Sequence, residues 1–462
     1  ACRRISGFRS GNARMDFGVD LSLDTDFRRF RYMKEIGNRR WARLAVFICS
    51  LFVGMGQIEA QETYHTQIYK PKRIKSLQVV QPDQTFTVPV ISLGNGEQIL
   101  INFDDLTPNY ERYAYSVIHC DADWKKSSLN ELEYMQGFQG LTIDDFANSF
   151  NTTTQYTNYQ LLLPNDDVQL KVSGNYAVRI YHEDHPEETV LVACFSVAES
   201  EVGIEAEVTG NTLIDTYQRH QQVNFSVLKK NLNITHPQTD LKIRVVQNNR
   251  PDNVVRKIMP SGILSDRIVY ENLRELIFPA GNEYRRMEFL SSKYNGMRVE
   301  GISYHNPYYH VDLMKDYPSS MATYEYDQDQ NGRFYVACSR CDDANTEADY
   351  YIVHFSLAMP EAKGGKVYLN GDFMQNTFDA NSEMVFNPDS RQYEKAILLK
   401  QGNYNYQYLY VPEGETTGQT GSIEGDFHQT ENEYTVYVYF RPMGTRYDRL
   451  IGVQTVHING HN

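Results

Sequence analysis

The sequence predicts an all-β protein made of tandem immunoglobulin-like β-sandwich domains. Short runs of alternating residues recur along most of the chain, the period-two signature of half-buried strands. Clusters of Asn, Asp, Gly and Pro divide them at intervals typical of a sandwich. The 462 residues include 34 Tyr and 22 Phe but only 2 Trp, and Tyr and Phe pack well on a pleated surface.

Length and charge narrow the classes of function. A chain of this size suits about three domains of roughly 100–150 residues each. Its formal charge of −14, with no basic run beyond the N-terminal region, excludes a nucleic-acid surface and docking on anionic lipid headgroups.

The N-terminal sixty residues read as processing signals, not fold. Residues 1–32 carry scattered arginines without a core pattern and are expected to be a non-native upstream extension. Residues 33–60 read as a signal peptide, in which Lys34, Arg39, Arg40 and Arg43 precede the apolar run from Leu44 to Met55 and Ala60 stands before the expected cut. That run is too short to span a bilayer, so direct membrane insertion is not expected. Removing residues 1–60 takes away 11 Lys/Arg and 6 Asp/Glu and leaves a net charge of −19.

Three domains are expected in the remainder. The first, 61–198, has candidate strands at 84–91, 113–119, 176–181 and 189–197, with a decorated loop and one short helix within 127–159. The second, 199–349, starts after the acidic junction Glu199-Ser200-Glu201 and contains strands at 222–228, 241–247 and 333–338. It also holds an irregular stretch with Tyr304, Tyr308, Tyr309, Tyr317, Tyr324 and Tyr326, which serves either as binding surface or as filler between domains. In the third, 350–462, Tyr404, Tyr406, Tyr408 and Tyr410 alternate along one strand and therefore share a face, and Glu433 to Phe440 repeats the pattern with Tyr437 and Tyr439.

Few constellations point to chemistry, and no catalytic, cofactor-binding or metal-binding residue is assigned. Asp327-Gln328-Asp329-Gln330-Asn331-Gly332 opens like a calcium loop, but Cys338 stands at the twelfth position where a bidentate Glu is needed, so the segment reads as an Asn-Gly hairpin turn. Cys338 and Cys341 lack the two further ligands of a zinc site, leaving a local disulfide or two free thiols. Cys120 and Cys194 read as small buried apolar groups. His119 with Asp121 and Asp123, and His182 with His185, fall at strand ends and read as solvated loop residues. With no nucleophile elbow, HExxH, phosphate loop or dinucleotide fingerprint in the chain, a non-enzymatic protein without cofactors is expected.

Two resemblances add to this reading. Lys366 to Phe373, Tyr393 to Leu399 and Gln401 to Tyr406 resemble the glycogen-binding, early-set immunoglobulin-like module, although Gln375-Asn376-Thr377-Phe378 stands where a sugar-stacking Trp would be expected. The motifs His119-Cys120-Asp121-Ala122-Asp123-Trp124, Asn151-Thr152 leading to Tyr156 through Tyr159, Ser173-Gly174-Asn175-Tyr176 and Phe278 through Arg286 resemble the plug-protein family of the type IX secretion system. That resemblance implies a periplasmic protein, exported by its signal peptide, that closes the periplasmic mouth of the SprA-type outer-membrane translocon barrel when no cargo is engaged. A carbohydrate-binding cell-envelope protein and a hydrolase with unrecognised carboxylates are the rival readings.

Overall fold

The computed structural model describes residues 62–458 apart from 83, 108 and 109. The expected upstream extension, signal peptide and cleavage point lie outside the described residues. The fold is all-β, with seven sheets among the described residues and three four-residue α-helices, at Glu131–Tyr134, Pro237–Asp240 and Ala344–Glu347.

The first sandwich opposes two sheets. One runs Gln67–Ile68, Thr189–Ala198, Gly174–His182, Tyr113–Cys120, Leu141–Thr142, with Val90–Ser92 parallel to Thr189–Ala198. The other runs Ile74–Val80, Ile99–Asp105, Thr157–Leu163, Asp145–Asn148. Alternation along these strands sends Ile101, Phe103, Val117, Tyr159, Tyr176 and Phe195 into the shared core. Each such burial is worth about 1.5–3 kcal/mol. The run at 84–91 is the exception, since only its last two residues, Val90 and Ile91, fall in a strand, Val90–Ser92. Pro89 has no N–H to give a ladder, and an isolated bridge links Gln81 and Gln84 instead.

A second sandwich is assembled from two distant stretches. Its first sheet runs Gly203–Thr209, His220–Leu228, Arg267–Tyr270, Gly262–Ile263, with Ile277–Pro279 also on His220–Leu228. The facing sheet runs Val255–Arg256, Leu241–Gln247, Glu433–Phe440, Arg449–His457. Their common core holds Phe225, Ile243, Phe278, Tyr434 and Val436.

Between the two stretches lies a third sandwich. One sheet runs Arg285–Phe289, Gly402–Pro412, Phe334–Val336, with Gly365–Asn370 also on Gly402–Pro412, and the other runs Val299–His305, Tyr308–Leu313, Tyr350–Leu357, Gln392–Lys400, Val385–Asn387. Tyr404, Tyr406 and Tyr408 point into its core as their alternation predicts, with Tyr410 packed at the edge. Strand pairing therefore runs across the boundary expected at 349/350: Gly402–Pro412 pairs back to Arg285–Phe289, and Glu433–Phe440 to Leu241–Gln247. We propose domains of 62–198, of 199–280 completed by 433–458, and of 285–423 inserted between those two pieces.

Candidate functional site

The four separated motifs turn out to be joints between sandwiches. In the first, Asp121 ends its strand in a tight turn, its Oδ1 accepting the N–H groups of Asp123 at 2.8 Å and Lys125 at 3.0 Å. The turn presents Ala122 to the second sandwich, where its N–H donates to buried Asp448 at 2.9 Å and its carbonyl accepts from the Arg244 guanidinium. Ser173-Gly174-Asn175-Tyr176 lies alongside. Asn175 donates to the Asp121 carbonyl at 2.9 Å and accepts from the Tyr439 hydroxyl at 2.9 Å. Gly174, at φ 135°, is required by closeness, because a Cβ there would sit 2.5 Å from His119 Nε2.

The stretch from Asn151 to Tyr159 docks the first sandwich on the inserted one. Asp349 accepts from Thr153 N–H at 2.8 Å, Thr153 Oγ1 at 2.6 Å and Thr154 N–H at 3.0 Å, while the Tyr156 hydroxyl donates to the Ala348 carbonyl at 2.7 Å. Beneath this seam Asp104 is buried. It accepts from Asn158 Nδ2 at 2.8 Å, Tyr350 OH at 2.6 Å and Lys400 Nζ at 2.6 Å. Burial lowers the Lys400 pKa, and Asp104 offsets part of that.

Phe278 through Arg286 carries the chain into the inserted sandwich beside its return path. Gly281, at φ 64°, donates to Asp426 at 3.0 Å and accepts from Phe427 N–H at 2.8 Å, and the Ala280 carbonyl accepts from Asn432 Nδ2 at 2.6 Å. Arg285 then bridges Glu424 at 2.8 Å and Asp316 at 3.0 Å, so outgoing and returning segments are clasped by charge.

Where the three sandwiches meet they leave a chamber of about 1130 Å³. Trp124 and Phe195 line it from the first sandwich, Arg244 and Tyr437 from the second, Arg333 and Asp372 from the inserted one. Arg333 pairs with Glu433 at 2.7 Å, both buried. Burial pushes the Asp372 carboxyl up to about 6, against the pull of Arg333 and Asn376.

A strap, residues 314–332, joins Tyr308–Leu313 to Phe334–Val336. It is pinned by Asp316, which accepts from Tyr406 OH at 2.9 Å, Tyr408 OH at 2.7 Å and the guanidinium of Arg298. Further along, Tyr324 donates to Glu283, Tyr326 to Glu431 at 3.0 Å, and Arg286 to Asp327 at 3.0 Å. Met314, Tyr317, Met321 and Tyr326 stay exposed along it, as does Tyr304 on the neighbouring strand. Of the six tyrosines read from sequence, three thus face solvent, whereas Tyr308, Tyr309 and Tyr324 are half-buried.

The remaining candidates take structural positions. Asn331 and Gly332, at φ 51° and 88°, form a tight turn closed by Arg333 N–H to Gln330 O at 3.2 Å, but not the expected hairpin, because no strand directly precedes it and Phe334–Val336 pairs with Gly402–Pro412 instead. Asp329 points inward onto the Tyr284 and Asn331 N–H groups, and burial pushes its carboxyl up to about 7. Among the described residues no three His, Cys, Asp or Glu side chains are gathered closely enough to hold a metal as they stand. Cys338 and Cys341 form a disulfide, and Cys120 and Cys194 are free and buried.

One expectation needs correction. His119 is not a solvated loop residue but is buried within its strand, where Nδ1 lies 2.8 Å from Ser127 Oγ and Nε2 3.1 Å from the Ser173 carbonyl. Both ring nitrogens are satisfied, so the polar ring can lie in the interior. His182 contacts Glu111 at 2.7 Å, and His185 is exposed in the adjoining turn. Phe378, near the position of the expected sugar-stacking ring, packs against Tyr368 at a centroid distance of 5.2 Å.

The family model described as "Type 9 secretion system plug protein 1st domain" matches residues 74–199, the first sandwich with three of the four joint motifs. Residues 74–199 are thus the first domain of a type 9 secretion system plug protein. It is also similar to a hypothetical protein from Parabacteroides merdae ATCC 43184, known from a crystal structure at 2.30 Å resolution. The two are 61% identical with a TM-score of 0.85, over 86% of this chain and 100% of the other. No curated protein matches it. Three of the motifs within or beside that plug domain are thus residues that hold sandwich to sandwich. Sequence reasoning missed Asp104, Lys400, Asp316 and Arg244, whose partners lie too far along the chain for any local pattern to mark them.

Proposed function

We propose that the chain is a non-enzymatic periplasmic plug that seals the periplasmic opening of the SprA-type type IX translocon when no substrate is engaged. Family membership, through the match over the first sandwich, carries this reading. The joints support it. A cap on a wide opening must move as one piece, and polar contacts buried between sandwiches are lost together or not at all, because each leaves an unsatisfied partner behind. The exposed Tyr and Met side chains of the strap supply contact area of the kind that interfaces favour. Among the described residues no helix is long and apolar enough to cross a membrane.

Deletion of the gene in a strain that retains its translocon tests the proposal. The outer membrane should become permeable to large solutes, and the protein should co-purify with translocon that lacks substrate but not with translocon filled by it. An outer membrane that stays tight in the deletion strain overturns the plug role.

A further inference from the structure

Three adjacent strands of the inserted sandwich carry histidines on one solvent-facing side. Ser303 of Val299–His305 pairs with His310, and His305 with Tyr308; across the next pairing His310 meets Ile352 and Asp312 meets His354. Period two then places His305, His310, Asp312 and His354 on the same face. The opposite face holds the core residues Val311, Leu313, Val353 and Phe355.

On that face His310 Nδ1 lies 2.8 Å from His354 Nε2. The two ring planes are 16° from parallel and meet edge to edge with centroids 5.1 Å apart, and the His305 ring is 5.1 Å from that of His310. We propose that this cluster is a binding site for a divalent transition-metal ion of the Zn²⁺ or Cu²⁺ class, with His310 and His354 as its first two ligands. Two imidazole nitrogens bound to one ion at about 2.0–2.1 Å in tetrahedral geometry stand about 3.3 Å apart, so the pair must open by about half an ångström and each ring must turn until its lone pair meets the other's at the ion. Imidazole is also the side chain that suits these ions.

Without an ion, one ring N–H donates to the facing nitrogen of the other ring. Binding needs both facing nitrogens bare, which a shift of that proton to the outward nitrogen of the same ring provides without changing the charge. His305 can complete the set by turning its ring, with water or the Asp312 carboxylate in the remaining position. The ladder hydrogen bonds and the core of this sheet do not depend on the three rings.

Calorimetric titration of the chelator-treated full-length protein with ZnCl₂ alone and with CuCl₂ alone, at neutral pH, tests the site. One ion per chain should bind, and the Cu²⁺ complex should show nitrogen hyperfine splitting from at least two imidazoles. His310→Asn and His354→Asn should each weaken binding tenfold or more with unchanged circular dichroism and Tm, His305→Asn should weaken it less, and the exposed control His236→Asn should leave it intact. No binding up to millimolar metal, or unchanged binding in the His310→Asn/His354→Asn double variant, overturns the site.

Discussion

Lys400 and Asp104 form a salt bridge of 2.6 Å although 296 positions separate them in sequence, and their side chains are 1% and 0% exposed. Breaking one side leaves an uncompensated charge in the seam between the first and inserted sandwiches. Lys400→Met should therefore destabilise the protein by roughly 3–5 kcal/mol, and adding Asp104→Asn should recover much of the loss. Denaturant unfolding of the single and double variants measures both; equal losses would show that the pair is not the cause.

Asp329 and Asp372 should each contribute stability that falls as pH rises from about 4 towards 7. Asp329 and Asp372 have carboxyls raised by burial to about 7 and about 6 from an ordinary 3.8, so over that window the folded state holds protons that the unfolded state has released. The gain from their raised values is complete below the unfolded pKa and is lost as pH passes the folded ones. Asp329→Asn should flatten this slope, as read from unfolding free energies across the window.

Gly174→Ala forces a methyl group against the His119 ring at a backbone angle that disfavours it. A loss of about 1–3 kcal/mol is expected, with a lower Tm. Gly94→Ala, with nothing within 4 Å of the new Cβ and likewise at positive φ, isolates the backbone part of the cost.

Cys120 and Cys194 should resist alkylation in the native protein at pH 8 and react readily in denaturant. Burial pushes the Cys120 thiol up to about 12 and that of Cys194 well above its usual range, and only the thiolate is nucleophilic. Peptide mass mapping after maleimide treatment reads the outcome for each cysteine.

Combined replacement of Met314, Tyr317 and Met321 by Ala should leave Tm nearly unchanged, since these side chains are exposed. Recovery of the translocon with the variant should drop severalfold in a co-purification measured by mass spectrometry. Full recovery would place the contact elsewhere on the surface.

The strands were legible because alternation is a local property. Leu241–Gln247 and Glu433–Phe440 fall where the pattern predicts, residue for residue. That they pair with each other was not legible, because period two states which side chains share a face and says nothing about which strand lies beside it. The same limit hid the Asp104 seam and misplaced His119, whose burial depends on Ser127 and Ser173 being brought to both sides of its ring. The joint motifs stood out in the sequence, yet their role as joints appeared only with the distant partners in view.

The split second sandwich imposes an order in time. Leu241–Gln247 hydrogen-bonds to Glu433–Phe440, and the whole inserted sandwich is made between them. A chain emerging from its N-terminal end can complete the first and inserted sandwiches while the second still lacks half of one sheet. Until the last strands arrive, Phe225, Ile243 and Phe278 have no opposing Tyr434 or Val436 to cover them, and the edge of Leu241–Gln247 is open to any other strand. Such a chain needs shielding late in its folding, after most of it is already in place.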